Sequence, residues 1–285
     1  MKQIWTVCRT TYIHWICNTR MLVLLLIGIF LYIHCINPMK HYAAVLGTPL
    51  NVLEPFVSIM NSGYTTPLLP VLFLYLISDF PKLNQSSTFI LFRLGRVKWF
   101  CGQMLFVALA GFTYLLTIFL FTLLTTCTDA FLDNGWSLAV RQIYEPKYTD
   151  LFSQSGLSQI DLSVLNQSRP YQTTVIGFIL MWSYTVVSGA ILMLFALRGQ
   201  KLLGIFLNVI ANALGLLFLM IDTPLKWILP SAHIMFAQHY DGQRNITFLD
   251  VKYSYLYNII LLSTMLWLTW QSTLNCSFHT IDETE

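Results

Sequence analysis

From Phe100 to Cys127 the chain runs without a single charged side chain. A stretch of about 20 apolar residues is enough to cross a hydrocarbon core of roughly 30 Å, and this one is longer. Inside lipid every backbone N–H and C=O must find its partner within the protein, which a helix achieves alone. Five further apolar runs accompany it, so the spacing predicts spans over 21–37, 63–79, 100–127, 173–197, 202–221 and 253–270. Composition agrees: 56% of the 285 residues are apolar and only 10% charged, where roughly a quarter of a soluble domain would be charged. The sequence therefore reads as an all-α integral membrane protein, a single transmembrane domain over 1–285 in the lipid bilayer.

The segments between the spans differ in kind. Residues 1–20 place Trp5, Cys8, Tyr12 and Trp15 at helical spacing, with Lys2, Arg9 and Thr11 on other faces, the pattern of a helix lying in the headgroup region. The apolar run that begins at Met21 has no small-residue cleavage site after it, so it is read as an anchor instead of a secretory signal. Asn37-Pro38 is expected to end the first span, and Pro67 and Pro70 to stand at the outer end of the second. Residues 128–172 and 222–252 read as long polar extracytoplasmic segments, the first with short amphipathic stretches in WSLAVRQIYEPKY and LSQIDLSVL. The acidic tail IDETE reads as disordered. Cysteines 8, 17, 35, 101, 127 and 276 show no metal-ligand spacing and read as small apolar residues. A Cys35–Cys127 bridge at the outer surface is the open alternative.

Orientation follows from the cations. Lys82, Arg93, Arg96 and Lys98 crowd the loop between the second and third spans, and Arg198 and Lys201 the tight link between the fourth and fifth. Lys and Arg in short loops resist translocation. That places this loop, 80–99, and both termini in the cytoplasm of a multi-pass plasma-membrane protein. At the entry to the third span Gly95 breaks the local element, and Lys98 and Trp99 fit a snorkelling cation and an interfacial aromatic.

The spans hold no Asp, Glu, Lys or Arg away from their ends. Ion-coupled carriers need such groups inside the bundle, so a secondary transporter is disfavoured. No Gly-x-x-x-x-Gly-Lys-Ser/Thr occurs, so any ATP chemistry belongs to another polypeptide. A net charge of +3, spread among loops, gives no nucleic-acid stripe. Asn208 and Asn212 share a face of the fifth span near Ala211 and Gly215, as residues of a helix interface or a translocation path do.

The sequence FRLGRVKWFCGQ, residues 92–103, resembles the Arg-x-x-Arg-x-x-Trp entry to the third span of ABC-2 type (type V) ABC exporter permeases. The order of parts is similar too: amphipathic start, six spans, cytoplasmic loop between the second and third. The resemblance implies an N-terminal connecting helix carrying Trp5, Arg9 and Tyr12, and a coupling helix contacting separate ATPase subunits through Phe89, Phe92, Arg93 and Arg96. It also implies a second permease copy or paralogue, with ATP and Mg bound on the ATPase partner and no cofactor or metal on this chain. The family commonly has its larger outer element between the fifth and sixth spans, whereas here the third-to-fourth segment is the longer one. Two readings of other classes stay open. One is a membrane-embedded enzyme using the outer segments, where His233, His239 and Asp241 cluster. The other is a sensor or assembly subunit using 128–172.

Overall fold

The computed structural model describes residues 1–82, 91, 93–128, 130–145, 160–240 and 248–275. Among these, four helices are long and apolar enough to cross a membrane. They are α2 (Thr19–Leu46), α5 (Arg96–Thr126), α8 (Pro170–Ala196) and α9 (Lys201–Ile221). The other α-helices among the described residues are α1 (Lys2–Ile16), α3 (Glu54–Asn61), α4 (Thr65–Leu76), α6 (Leu138–Gln142), α7 (Leu162–Gln167), α10 (Pro230–Ile234) and α11 (Val251–Asn275). Two-residue strands, β1 (Leu50–Asn51) and β2 (Ala130–Phe131), pair in parallel. The chain is thus a helical membrane protein.

Three boundaries depart from the sequence expectation. The first span does not stop at Asn37-Pro38: the helix continues to Leu46 and ends on Gly47 at φ 66°. A proline ring clashes with the carbonyl four residues back. Here the backbone over Tyr32–Ile36 widens into a π turn just before Pro38, which makes room for the ring. The second expected span is a helix of 12 residues, α4, with Pro70 in its interior instead of at its end. At 1.5 Å per residue that is roughly 18 Å, too short to cross a bilayer alone. The sixth expected span is longer than predicted, 25 residues in α11, but its many hydroxyls and amides keep it out of the apolar four.

α8 lies at the centre, in contact with α3, α4, α5, α9, α10 and α11. It is 67% buried over its most apolar window, against 22% for α9. The α5–α8 crossing is set by reciprocal glycines. A methyl on Gly111 would fall 2.5 Å from Thr185 Oγ1, and one on Gly189 only 2.3 Å from Val107 Cγ1. Small residues let helices approach where burial from water supplies no drive. Around this crossing Phe106, Tyr114, Leu115, Met181, Tyr184, Val187 and Met193 build the main core.

α9 and α11 are inverted relative to soluble helices. α9 buries Gly204, Asn208, Asn212 and Gly215 while exposing Leu202, Phe206, Leu217 and Met220. The residues α11 buries are Ser254, Asn258, Thr269, Ser272 and Thr273, and it exposes Leu256, Ile259, Ile260 and Trp267. A polar stripe turned inward and an apolar one outward suits hydrocarbon on the outside.

The bundle has two differently built ends. At one, Arg20 meets Asp79 and Arg198 meets Ser272; this is called the elbow end below. At the other, the distal end, β1 and β2 pair and a second apolar core forms from Met39, Tyr42, Val57, Trp136, Val140, Val164 and Phe236. Within the described part of the amphipathic stretches expected there, α6 and α7 form, capped by Ser137, which accepts from Val140 N, and Asp161, which accepts from Ser163 N. Cys35 and Cys127 are free thiols, one buried and one exposed, so the open alternative of a bridge between them is not realised. The acidic tail, 276–285, lies outside the described residues.

Candidate functional site

The elbow is assembled from α1, the end of α4 and the start of α5. α1 packs along α5 with Val7, Cys8 and Trp15 as its buried face. Gly102 permits the approach: a Cβ there would stand 2.7 Å from Val7 Cβ and 3.0 Å from the Ile4 carbonyl. The Trp15 indole N–H donates to the Leu76 carbonyl at 3.0 Å, and its ring meets Phe106 edge-on. Tyr12 and Thr113 hydroxyls lie 2.8 Å apart. At the turn after α1, Arg20 pairs with Asp79 at 2.7 Å, donates to Ser78 Oγ, and covers the Tyr75 ring. The α1 corner is therefore fastened to both α4 and α5.

The connecting-helix residues divide accordingly. Tyr12 makes a tertiary contact, and Arg9 and Trp5 are exposed, Trp5 at 55%. The buried stripe runs through Val7, Cys8 and Trp15, and Val7 meets Gly102 at the close crossing. Of the coupling residues, Phe89 and Phe92 lie outside the described residues. Arg93 is exposed. Gly95, at φ 81°, makes the break expected of it at the head of α5. Arg96 is exposed, and its guanidinium donates to the Leu274 carbonyl at the end of α11. Lys98 is exposed, but Trp99 is not the interfacial aromatic expected: it is 1% exposed and faces a cavity under α1.

Asn208 and Asn212 are brought together on the buried side of α9. Each side-chain nitrogen donates to a backbone carbonyl one turn back, Gly204 O and Asn208 O, at 2.9 Å. Asn208 Oδ1, Ser231 Oγ on α10 and both amide atoms of Asn258 on α11 are buried without a hydrogen-bond partner among the described residues. Buried polar atoms in native proteins are rarely left so. Each such atom marks a position where water or a polar ligand group enters. If these amides serve packing alone, Asn258→Leu should raise stability by about 1 kcal/mol, since an unsatisfied buried amide is costly. Thermal unfolding in detergent measures it, and a loss of stability would show that Asn258 is solvated or bonded in the membrane.

The expected enzyme cluster resolves differently. His233 bonds Ser254 Oγ at 2.7 Å and the Trp227 carbonyl at 2.9 Å, and stacks on Tyr257. Burial pushes this imidazole down to about 4, so it is neutral at physiological pH. His239 bonds the Leu249 and His233 carbonyls, and burial lowers it too. Both ring nitrogens of each histidine face protein partners, and no metal-holding group of His, Cys, Asp and Glu exists among the described residues. Asp241 lies outside them.

One carboxylate escaped the sequence reading. Glu54, at the head of α3 and 0% exposed, accepts from Ser137 N at 2.6 Å, Ser137 Oγ at 2.8 Å and Asn51 N at 3.0 Å. Asn51 in turn donates to the carbonyls of Asp133 and Gly135. Burial pushes the Glu54 carboxyl up to about 7 against the pull of its three donors. At the other end of α3, Asn61 Oδ1 accepts from Ala237 N at 2.8 Å. α3 thus ties both long polar segments to the bundle. A lone Glu among apolar neighbours was visible in LNVLEPFV, but its partner Ser137 lies 83 residues away. Comparison of the chain with known protein families, curated proteins and solved structures finds no match.

Proposed function

We propose that this chain is the permease subunit of an ATP-driven ABC exporter of the ABC-2 type, in the plasma membrane with both termini cytoplasmic. It works beside a second permease copy or paralogue and is powered by separate ATPase subunits that bind ATP and Mg. The observation that carries this reading is the elbow. Exposed Arg93, Arg96 and Lys98 stand at the head of α5, a helix of 31 residues. That head is fastened to α1 through Gly102 and to α11 through Leu274. A partner pressing on these cations moves three helices together, as a coupling surface must. The unsatisfied buried amides of Asn208 and Asn258 support polar positions within the bundle.

Purification from the native membrane in mild detergent should bring an ATPase with the chain. Arg93→Glu combined with Arg96→Glu should reduce the retained ATPase at least about tenfold, because like charge at a desolvated interface costs over 1.4 kcal/mol. An ATPase held undiminished by this variant would refute the docking surface, and its absence from the parent preparation would refute the role.

A further inference from the structure

α2 packs on the bundle by one side only: 28% of its most apolar window is buried. Its open side is not uniformly apolar. Leu22, Leu26, Ile29 and Ile33 project from it, and so do His34, Asn37 and His41. The His34 and Phe30 ring centres lie 4.6 Å apart. None of these three polar side chains makes a hydrogen bond among the described residues. Lys40, between them in sequence, reaches α5 instead and donates to the Thr125 carbonyl at 3.1 Å.

Two of the three lie at membrane depth. Between Arg20 and Lys40 the sequence carries no Asp, Glu, Lys or Arg. That run, 21–39, extends about 28 Å at 1.5 Å per residue, close to a hydrocarbon thickness of roughly 30 Å. His34 and Asn37 are inside it, and His41 follows Lys40 at its distal edge. Facing lipid tails, an imidazole and a carboxamide would give up their hydrogen bonds to water and gain none. Polar groups inside a span are turned to protein or to water, not to lipid. The cover over this side of α2 must therefore offer donors and acceptors at His34 and Asn37, and apolar surface at Leu26, Ile29 and Ile33.

A second copy of the same helix meets both demands. Imidazole and carboxamide each donate and accept, so each can bond its own image across a two-fold axis, as a self-complementary contact requires. With no Lys, Arg, Asp or Glu in the run, two copies meet without like-charge repulsion. We propose that α2 forms a homodimer contact, pairing His34 and Asn37 with the same residues of a second copy around a two-fold axis along the membrane normal. In the permease reading, on which this contact rests, it is the surface that holds the second copy. No ATPase takes part in it, so the ATPase experiment and the following one fail separately.

Two full-length copies with different affinity tags are expressed together in the native membrane. With p-benzoylphenylalanine replacing Ile33, which is 55% exposed beside the polar row, irradiation should give a species of twice the chain mass that carries both tags. The same group replacing Leu217, exposed on α9, should give none. In detergent, His34→Leu combined with Asn37→Leu should raise the dissociation constant of the dimer at least about tenfold, through hydrogen bonds between spans lost on both copies. The monomer of that variant should keep the parent's unfolding midpoint, since neither side chain has a hydrogen-bond partner within the described chain. A monomeric parent, a crosslink from Leu217 as strong as that from Ile33, attachment of Ile33 only to lipid or to a different protein, or a dimer undiminished by the double variant would each overturn the contact.

Discussion

Glu54→Ala is expected to destabilise the folded chain by about 4 kcal/mol, because three buried donors lose their acceptor in one step. Those donors, Asn51 N, Ser137 N and Ser137 Oγ, belong to two segments far apart in sequence, so the distal cap should loosen before the bundle does. Hydrogen exchange would show this as early opening of residues 130–145 while α8 stays protected. The conservative variant separates charge from packing. The Glu54 carboxyl sits at about 7 in the fold against an ordinary value of 4.5, so the folded state holds its proton more tightly than the unfolded one. Its stabilising contribution is full below pH 4.5 and is lost as pH rises through 7, a loss on the order of 3 kcal/mol. Glu54→Gln should flatten the stability profile across that window. A Gln variant that kept the parent slope would show that another group titrates there.

Gly189→Ala is expected to cost about 3 kcal/mol, a large effect for one methyl, because overpacking at a rigid crossing forces backbone shifts. The added carbon would lie 2.3 Å from Val107 Cγ1, and both residues sit in the wall between α5 and α8. Neither helix can retreat easily: α8 is held by five other helices and α5 by α1. Val107→Ala in the same chain should recover most of the loss, since it removes the methyls that are struck. Thermal unfolding of the two single variants and the double variant gives the coupling directly. Additive losses would mean that the crossing is looser than its geometry.

Much of this architecture was legible in the chain itself, for reasons that individual residues make plain. The charge-free run after Phe100 could only be a buried or lipid-facing helix, and it is α5. Arg198-Gly-Gln-Lys between two apolar runs demanded a tight turn, and Gly199 supplies it at φ 73°. Asn208 and Asn212, four apart, fell on one buried face as their spacing required. The failures share a cause: they depend on partners distant in sequence. Proline at 38 reads locally as a stop, yet a π turn absorbs it. The spacing of α1 did not single out Val7, whose burial is set by Gly102 on another helix. Gln103 looked like the end of a motif, and only the fold reveals that its carbonyl is enclosed. Glu54 had no visible role until Ser137 was brought to it.

The length of α5 carries one last implication. Its 31 residues contain no proline and extend about 46 Å, well beyond a hydrocarbon thickness of roughly 30 Å. Its first residue stands among the exposed cations, and its last turn leads within a few residues to the strand paired with Leu50. The basic tip and the β1–β2 pairing are therefore in mechanical register along a single strut. A tilt of about 5° at the basic tip displaces the opposite tip by about 4 Å, enough to shear a pairing only two residues long.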